Sequence, residues 1–298
     1  MNPGGLKQQS NLRRGALFVI ASSVMFAFLG AAIKIVSTHV PLEMVVFFRN
    51  FFGLLALSPW LFRLGKAGLQ TQRLPVHALR ACFGLAAMYC FFYALAHLQL
   101  VEAMLLNFSA PLFIPLFALL WLRETLPPSV PWALGVGLVG IALILKPGIG
   151  MLTPVALIGL ISGVFAALAM VSVRSMSSTE PPERIVFYFS AMGTLVSGLP
   201  LLWSWHTPDL GQWGILLGIG VLATGGQVLL TRGITSAPAG QVGPFTYSTV
   251  VFATLLGWGA WGEMLDLVSL LGGLLVCAAG VLVLRGERTA GTMVSPRY

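Results

Sequence analysis

Charge is what this 298-residue chain has least of: 9% of its residues are charged, against about 25% in an ordinary soluble domain, while 57% are hydrophobic. A soluble globular protein is excluded, because a mean hydropathy of +0.90 leaves more apolar surface than one core of this length can hide. Cysteine is scarce as well. Cys82, Cys90 and Cys277 each lie in an apolar stretch without metal-ligand or redox spacing, which excludes a disulfide scaffold and leaves packing as their role. Carboxylates are missing from the middle of every apolar run, which argues against a proton-coupled carrier, since such a carrier needs an ionisable group that sees both sides. His39, His77, His97 and His206 are scattered near run ends, which argues against a membrane-embedded enzyme acting on lipid.

What the chain does have is long hydrophobic runs, near 15–37, 41–62, 74–95, 100–121, 130–146, 154–173, 184–203, 211–231, 239–261 and 267–285. Their continuous apolar character predicts spanning helices, since a barrel strand would be about ten residues of alternating polarity. Arg13 and Arg14 before the run Ala16–Ile33 resemble the start of a signal peptide, but cleavage would destroy the repeat described below. The net charge of +8 comes from basic residues placed singly or in pairs, not in a stripe with interleaved aromatics, so no nucleic-acid partner is expected. Lys7, Arg13, Arg14, Arg63, Lys66, Arg73, Arg123, Arg174, Arg184, Arg232, Arg285, Arg288 and Arg297 lie in the tails and even connections, whereas the odd ones hold only Lys146. The positive-inside rule then predicts that both termini face the cytoplasm, with membrane lipid as the surrounding partner; the expected location, a bacterial inner (plasma) membrane, goes with the resemblance described below.

The chain is also similar to itself. At an offset of 140, ALFVIASSVMFAFLGAAIKIVS from Ala16 lies on ALIGLISGVFAALAMVSVRSMS from Ala156, pairing Lys34 with Arg174. The same frame pairs Pro41, Glu43, Phe47 and Gly53 with Pro181, Glu183, Phe187 and Gly193. After a one-residue slip Ser109, Phe113 and Glu124 meet Ser248, Phe252 and Glu263, and restoring the residue pairs Gly140 with Gly280. Five spans per copy is an odd number, so the second copy enters the membrane inverted. The expected fold is an all-α integral membrane protein of ten transmembrane helices in two inverted-topology repeats, 15–150 and 151–286, with tails 1–14 and 287–298.

The runs PLEMVVFFRNFFGLLALSPWLF, APLFIPLFALLWLRETL and GLVGIALILKPG resemble the first half of an EamA-type member of the drug/metabolite transporter superfamily. Within it the chain is most similar to the YddG-type amino-acid exporters. The resemblance implies a helical basket around a central cavity, with spans five and ten outside it, and export of amino acids, aromatic ones included, and related metabolites. Arg49, Glu124 and Glu263 match family motifs, but the repeat partner of Arg49 is Phe189, so any role of Arg49 is not duplicated.

Polar residues inside the runs are the candidate substrate contacts, because lipid makes them costly unless they face a cavity or a partner. Thr224, Gln227 and Thr231 share one helical face, with interhelical glue as the competing reading. Asn107 superposes on Thr246 and Ala110 on Thr249, and the adjacent Pro111 and Pro244 predict broken helices beside a cavity or, alternatively, packing kinks. Tyr89, Tyr93, Tyr247, Phe26 and Phe165 offer an aromatic lining, Tyr89 and Tyr247 best by depth. Trp60, Trp121, Trp203 and Trp261 fall at span ends as interface anchors. The expected substrate-binding set is Ser23, Tyr89, Asn107, Thr224, Gln227, Thr246, Tyr247 and Thr249, with Arg49, Pro111, Pro244, Glu124 and Glu263 as structural or gating residues.

Arg49 has two readings: a clamp on a substrate carboxylate, and the favoured one, a tie to backbone carbonyls or to Glu43. Lys34 and Arg174 are expected to snorkel, and Glu43, Glu102, Glu124, Glu183, Glu263 and Asp266 all fall at span ends. His97 is the nearest alternative proton carrier, so facilitation or exchange is expected over proton coupling. Gly135, Gly137 and Gly140 spell GxGxxG inside an apolar span with no strand before it, which reads as close packing together with Gly159/Gly163 and Gly214/Gly218. No cofactor, metal or ATPase subunit is expected. The function implied is secondary export of amino acids, with a different metabolite or drug class, a channel or a lipid enzyme as alternatives.

Overall fold

The computed structural model describes residues 3–58, 66–122, 129–145, 153–176, 179–236, 243–264 and 266–291. Among them every regular element is helical: α1 (Pro3–Val36), α2 (Leu42–Ala56), α3 (Leu74–His97), α4 (Leu100–Asn107), α5 (Ala110–Phe117), α6 (Ser129–Leu145), α7 (Pro154–Met176), α8 (Pro182–Gly198), α9 (Leu201–Ser204), α10 (Leu210–Ser236), α11 (Ser248–Trp261) and α12 (Leu267–Gly291). Short 3-10 turns occupy Lys66–Leu69 and Gly243–Tyr247. Five stretches are long and apolar enough to cross a membrane: Arg13–Val36, Leu74–His97, Leu100–Trp121, Pro154–Met176 and Leu210–Leu230. Shorter apolar helices run over Pro131–Ile144 and Leu267–Leu282. In three more of the expected spans, α2, α8 and α11 are only 15, 17 and 14 residues long.

Local sequence explains where these helices start and stop. Pro41 and Pro181 both hold extended backbone, with φ −53°, ψ 141° and φ −65°, ψ 144°, and each opens the helix that follows. α11 ends at Gly262, whose φ of 64° is a left-handed conformation that glycine adopts without strain. The amide of Glu263 then donates to the Gly257 carbonyl, turning the chain back over the helix end. The expected span 100–121 is broken between α4 and α5. Pro111 lies in the first turn of α5, where its missing N–H costs nothing, and Ser109 Oγ donates to the Leu106 carbonyl at 2.6 Å. Pro244 lies in the 3-10 turn that leads into α11.

The most extensive helix pairings are α1 with α10, α3 with α7, and α6 with α12. Apolar residues of both halves, among them Ile33, Met44, Leu95, Met104, Phe189, Ile219 and Ala253, form one core cluster through the centre. α6 and α12 touch backbone to backbone: a Cβ on Gly140 would lie 2.7 Å from the Gly272 carbonyl oxygen, and one on Gly272 would lie 2.7 Å from that of Gly140. Gly163 is crowded in the same way by Ser109 and the Leu106 carbonyl, and Gly159 by the Leu106 side chain. The expected close packing at Gly135, Gly214 and Gly218 is corrected, because nothing stands within 4 Å of their Cβ positions. Cys82 is likewise exposed rather than packed.

These surroundings set opposite signs for one substitution. Gly140→Ala forces a methyl against backbone, an overpacking cost of about 1–3 kcal/mol that exceeds or matches the helix-propensity gain of up to about 1 kcal/mol. Gly214→Ala keeps only the gain. Thermal unfolding in detergent should give a lower Tm for the first variant and an unchanged or raised one for the second; equal shifts would contradict the α6–α12 contact.

Candidate functional site

Two helix breaks are held by serines on helices of the opposite half. Asn107, at the end of α4, donates from Nδ2 to Ser162 Oγ on α7 at 3.1 Å. Ser23 on α1, almost fully buried, lies 3.4 Å from the carbonyl oxygens of Phe245 and Thr246 in the turn before α11. Beyond that turn Tyr247 and Thr249 are 7% and 1% exposed, and their hydroxyls are buried without a hydrogen-bond partner. The Tyr247 hydroxyl reaches the place where Gly280 of α12 lacks a side chain, so a Cβ there would collide with it. Phe108, in the α4–α5 turn, is a ring neighbour of Tyr247 at 6.2 Å.

The remaining expected contacts have other neighbours. Thr224, half-buried on α10, faces Gly53 of α2, whose Cβ position is 3.3 Å from Thr224 Oγ1. Gln227 is half-buried and engaged, and Tyr89 packs on the central core. Phe26 lies against Gly226 of α10, whereas Phe165 is a ring neighbour of Phe83 at 6.5 Å. A small pocket lined by Leu98, Glu102, Leu106, Ile144, Thr153 and Ala156 contains none of the expected binding residues. Glu124 and Trp60 lie outside the described residues.

Charged groups tie the two ends of the helix bundle. At one end Lys34 Nζ is 2.7 Å from Glu263 Oε1, with side chains 14% and 12% exposed, and Lys34 also donates to the Leu98 carbonyl. Glu263 Oε2 accepts the Leu100 amide at 2.8 Å, capping the first turn of α4, where helix dipole and free N–H groups favour an anion. Trp261 covers this pair, its ring 5.6 Å from Lys34 Nζ. Lys34 therefore does not snorkel: it is held by a carboxylate that Gly262 turns inward.

At the end where α3 and α8 begin, Glu180 is the hub. Its Oε1 accepts the Thr71 hydroxyl at 2.6 Å, and its Oε2 accepts Arg184 Nη1 at 2.8 Å and lies 3.7 Å from His77 Nε2. Arg184 Nε donates to the Gly68 carbonyl, and the Tyr188 hydroxyl to that of Leu69, both at 2.7 Å. Burial alone pushes the Glu180 carboxyl up, but the hydrogen bonds from Thr71 and Arg184 and the neighbouring cations outweigh it and hold it below the usual range. His77, not the exposed His97, is the histidine buried beside an acid. Sequence reasoning passed over Glu180; its only signal was an acid just before Pro181.

Two arginines lie deeper, over one ring. Arg49 donates from Nη1 to Asn50 Oδ1 at 3.1 Å and lies over the Phe189 ring at 5.5 Å, rather than reaching a carbonyl or Glu43. Arg80, which the sequence reading also missed, lies over the same ring at 4.2 Å. Its signal was a lone arginine six residues inside an expected span.

An EamA-like transporter family model matches the chain twice, over residues 13–146 and 153–285. The chain belongs to the EamA-like transporter family. This EamA-like protein is a multi-pass membrane transporter and not an enzyme. It is 36% identical to "Pseudopaline exporter CntI" of Pseudomonas aeruginosa (strain UCBPP-PA14) over 93% of this chain and 98% of that protein. It is 26% identical to a "Riboflavin transporter" of Vibrio cholerae, covering 84% and 85%, and 27% identical to an "S-adenosylmethionine uptake transporter" of Rickettsia bellii, covering 83% and 84%. A solved crystal structure at 18% identity shares the fold, with a TM-score of 0.62 over 95% of this transporter and 99% of that chain.

Two predictions follow from the charged ends. Glu180 has a lowered carboxyl pKa in the folded chain, so its stabilisation is present above the unfolded value of about 4.3 and is lost as pH falls through the folded one. Glu180→Gln should flatten that acid limb in a pH series of melting curves; an unchanged limb would exclude Glu180 as its source. At the other end, Lys34→Met or Glu263→Gln alone leaves a desolvated group without its partner, at a cost of up to about 3–5 kcal/mol. The double variant Lys34→Met/Glu263→Gln should recover part of that loss in a double-mutant cycle, whereas additive losses would show the pair to be uncoupled.

Proposed function

We propose that the chain is a secondary transporter of the bacterial inner membrane that exports amino acids, aromatic and other neutral ones, and related small metabolites by alternating access. In this reading ten spans form two inverted repeats, 15–150 and 151–286, and both termini face the cytoplasm. The observation that carries it is the reciprocity of contacts between duplicated positions. Asn107 meets Ser162, and at the superposed place Thr246 meets Ser23, neighbour of the superposed Ser22. Gly53 faces Ser190 while its partner Gly193 faces Asn50, the residue paired with Ser190. The pairings of α1 with α10 and α7 with α3 exchange in the same way, which is the behaviour of two copies about a two-fold axis.

The packed centre and the polar ties at both ends suit an occluded state of such a cycle. Opening toward one side would release the Lys34–Glu263 tie, and opening toward the other the ties at Glu180, with the breaks at Pro111 and Pro244 as the bending points. Glu124, the duplicate of Glu263, would serve the same purpose in the first half. Substrate would take hydrogen bonds from Ser23, Tyr89, Asn107, Thr224, Gln227, Thr246, Tyr247 and Thr249, of which Tyr247 and Thr249 have unpartnered hydroxyls to offer. The similarity to an exporter of pseudopaline supports a second reading, export of a larger metabolite of that kind.

Reconstituted liposomes decide between them. Internal phenylalanine or leucine should accelerate uptake of the labelled amino acid, the counterflow should persist without a pH gradient, and Asn107→Ala or Gln227→Ala should reduce it. Counterflow with riboflavin or another large metabolite but with no amino acid would favour the second reading, and unsaturable flux would mean a channel.

A further inference from the structure

Arg49 on α2 and Arg80 on α3 share one aromatic platform, the ring of Phe189 on α8, at 5.5 and 4.2 Å from its centroid. The ring quadrupole attracts each guanidinium charge but gives its N–H donors no lone pair to bond to. One donor of Arg49 goes to Asn50 Oδ1, whereas Nε and Nη1 of Arg80 are buried with no hydrogen-bond partner. Neither arginine has an ion pair with a carboxylate among the described residues. Gly84 makes the arrangement possible: a Cβ there would collide with Arg80 Nη1 and lie 2.6 Å from the Phe189 ring. Both residues are half-buried, whereas the Arg80 donors Nε and Nη1 are fully buried, so an anion reaches them only when the packed centre opens.

Two desolvated cations without an anion cost stability, and elsewhere the chain avoids that state. Lys34 is given Glu263, and Arg184 is given Glu180. We propose that Arg49 and Arg80 form an oxyanion subsite that receives the carboxylate of the transported substrate, so that the carrier selects molecules with a free carboxylate over their alcohol or amine analogues. This inference rests on the transport reading above. Planar guanidiniums offer paired N–H donors that match the two oxygens of a carboxylate, and two of them suit a substrate with more than one. A lipid phosphate would present the same oxyanion chemistry, so the source is part of the test.

The test is thermal unfolding of the purified full chain in neutral detergent with about 10 mM leucinol, leucine, glutamate or citrate, since a ligand that binds only the folded state raises Tm. Leucine, glutamate and citrate should raise Tm, and leucinol should not. Arg80→Gln or Arg49→Gln should weaken the apparent affinity about tenfold or more, the equivalent of losing one charge-assisted hydrogen bond. Arg80→Lys should keep part of the response, because it retains the charge and loses the fork; it also serves if Arg80→Gln does not fold. Phosphatidylglycerol added to delipidated protein should leave the carboxylate response in place. The proposal is overturned if no carboxylate shifts the wild-type protein, if leucinol acts as strongly as leucine, if the variants respond like wild type, or if phosphatidylglycerol abolishes the response. Binding in detergent requires no transport, so absent counterflow would sink the transport reading alone, and a leucinol response as large as that of leucine would sink the subsite alone.

Discussion

A helix interrupted in lipid exposes backbone groups that no water will satisfy, and each of them must find a protein partner. That constraint organises this chain. Pro111 follows a break between two helices and Pro244 lies in the 3-10 turn that leads into α11, and at each place a serine-bearing segment from the other half comes close: Ser162 beside Asn107, and Ser23 beside the Phe245 and Thr246 carbonyls. The breaks therefore do two things at once. They place polar side chains at depth, and they make the halves depend on each other. Small residues are the means of that dependence, since Gly163 allows Ser109 to approach and Gly140 and Gly272 let α6 and α12 touch.

Charge follows the same economy but with a different geometry. The pairs at the helix ends are each tied to a helix start: Glu263 caps α4 beside Lys34, and Glu180 gathers Thr71 and Arg184 just before α8. Such pairs contribute little net stability if weighed against well-packed apolar residues, because desolvation offsets most of the attraction. What they offer a transporter is a contact that forms in one arrangement and not in another. A tie that can be exchanged for water as an end opens is suited to a gate, whereas an apolar seal of equal strength would expose its surface on opening.

How much of this the sequence carries depends on the range of the interaction. Helical character, the apolar stretches and the breaks near Pro111 and Pro244 are legible because they arise from composition and from a missing backbone donor, both local properties. Partnership across the bundle is not. Lys34 reads as a snorkelling end charge until Gly262 is seen to turn Glu263 back onto it, a contact 229 positions away in the chain. Glu180 and Arg80 carry no pattern of their own, and what marks them is the company that tertiary packing supplies. One glycine pair fails for the mirror reason: Gly214 and Gly218 have the same helix-contact spacing as the closely packed Gly159 and Gly163, but nothing among the described residues stands within 4 Å of their Cβ positions.

The departure from internal symmetry at position 189 then acquires a physical reason. In the two-fold arrangement proposed above, contacts near the axis exchange between duplicates, as Gly53 faces Ser190 while Gly193 faces Asn50, and Arg49 meets its own duplicate position, Phe189. Were position 189 an arginine like its duplicate Arg49, two guanidiniums would confront each other in an apolar interior with no anion between them. Phenylalanine removes one of those charges and supplies a face for the other. It also leaves room on that face for Arg80, whose position in the second half is not basic. A duplicated scaffold supplies equal halves, which suit poorly a substrate whose two ends differ. Breaking the symmetry at one residue near the axis concentrates positive charge on one side of the centre without disturbing the helix pairings that the duplication provides.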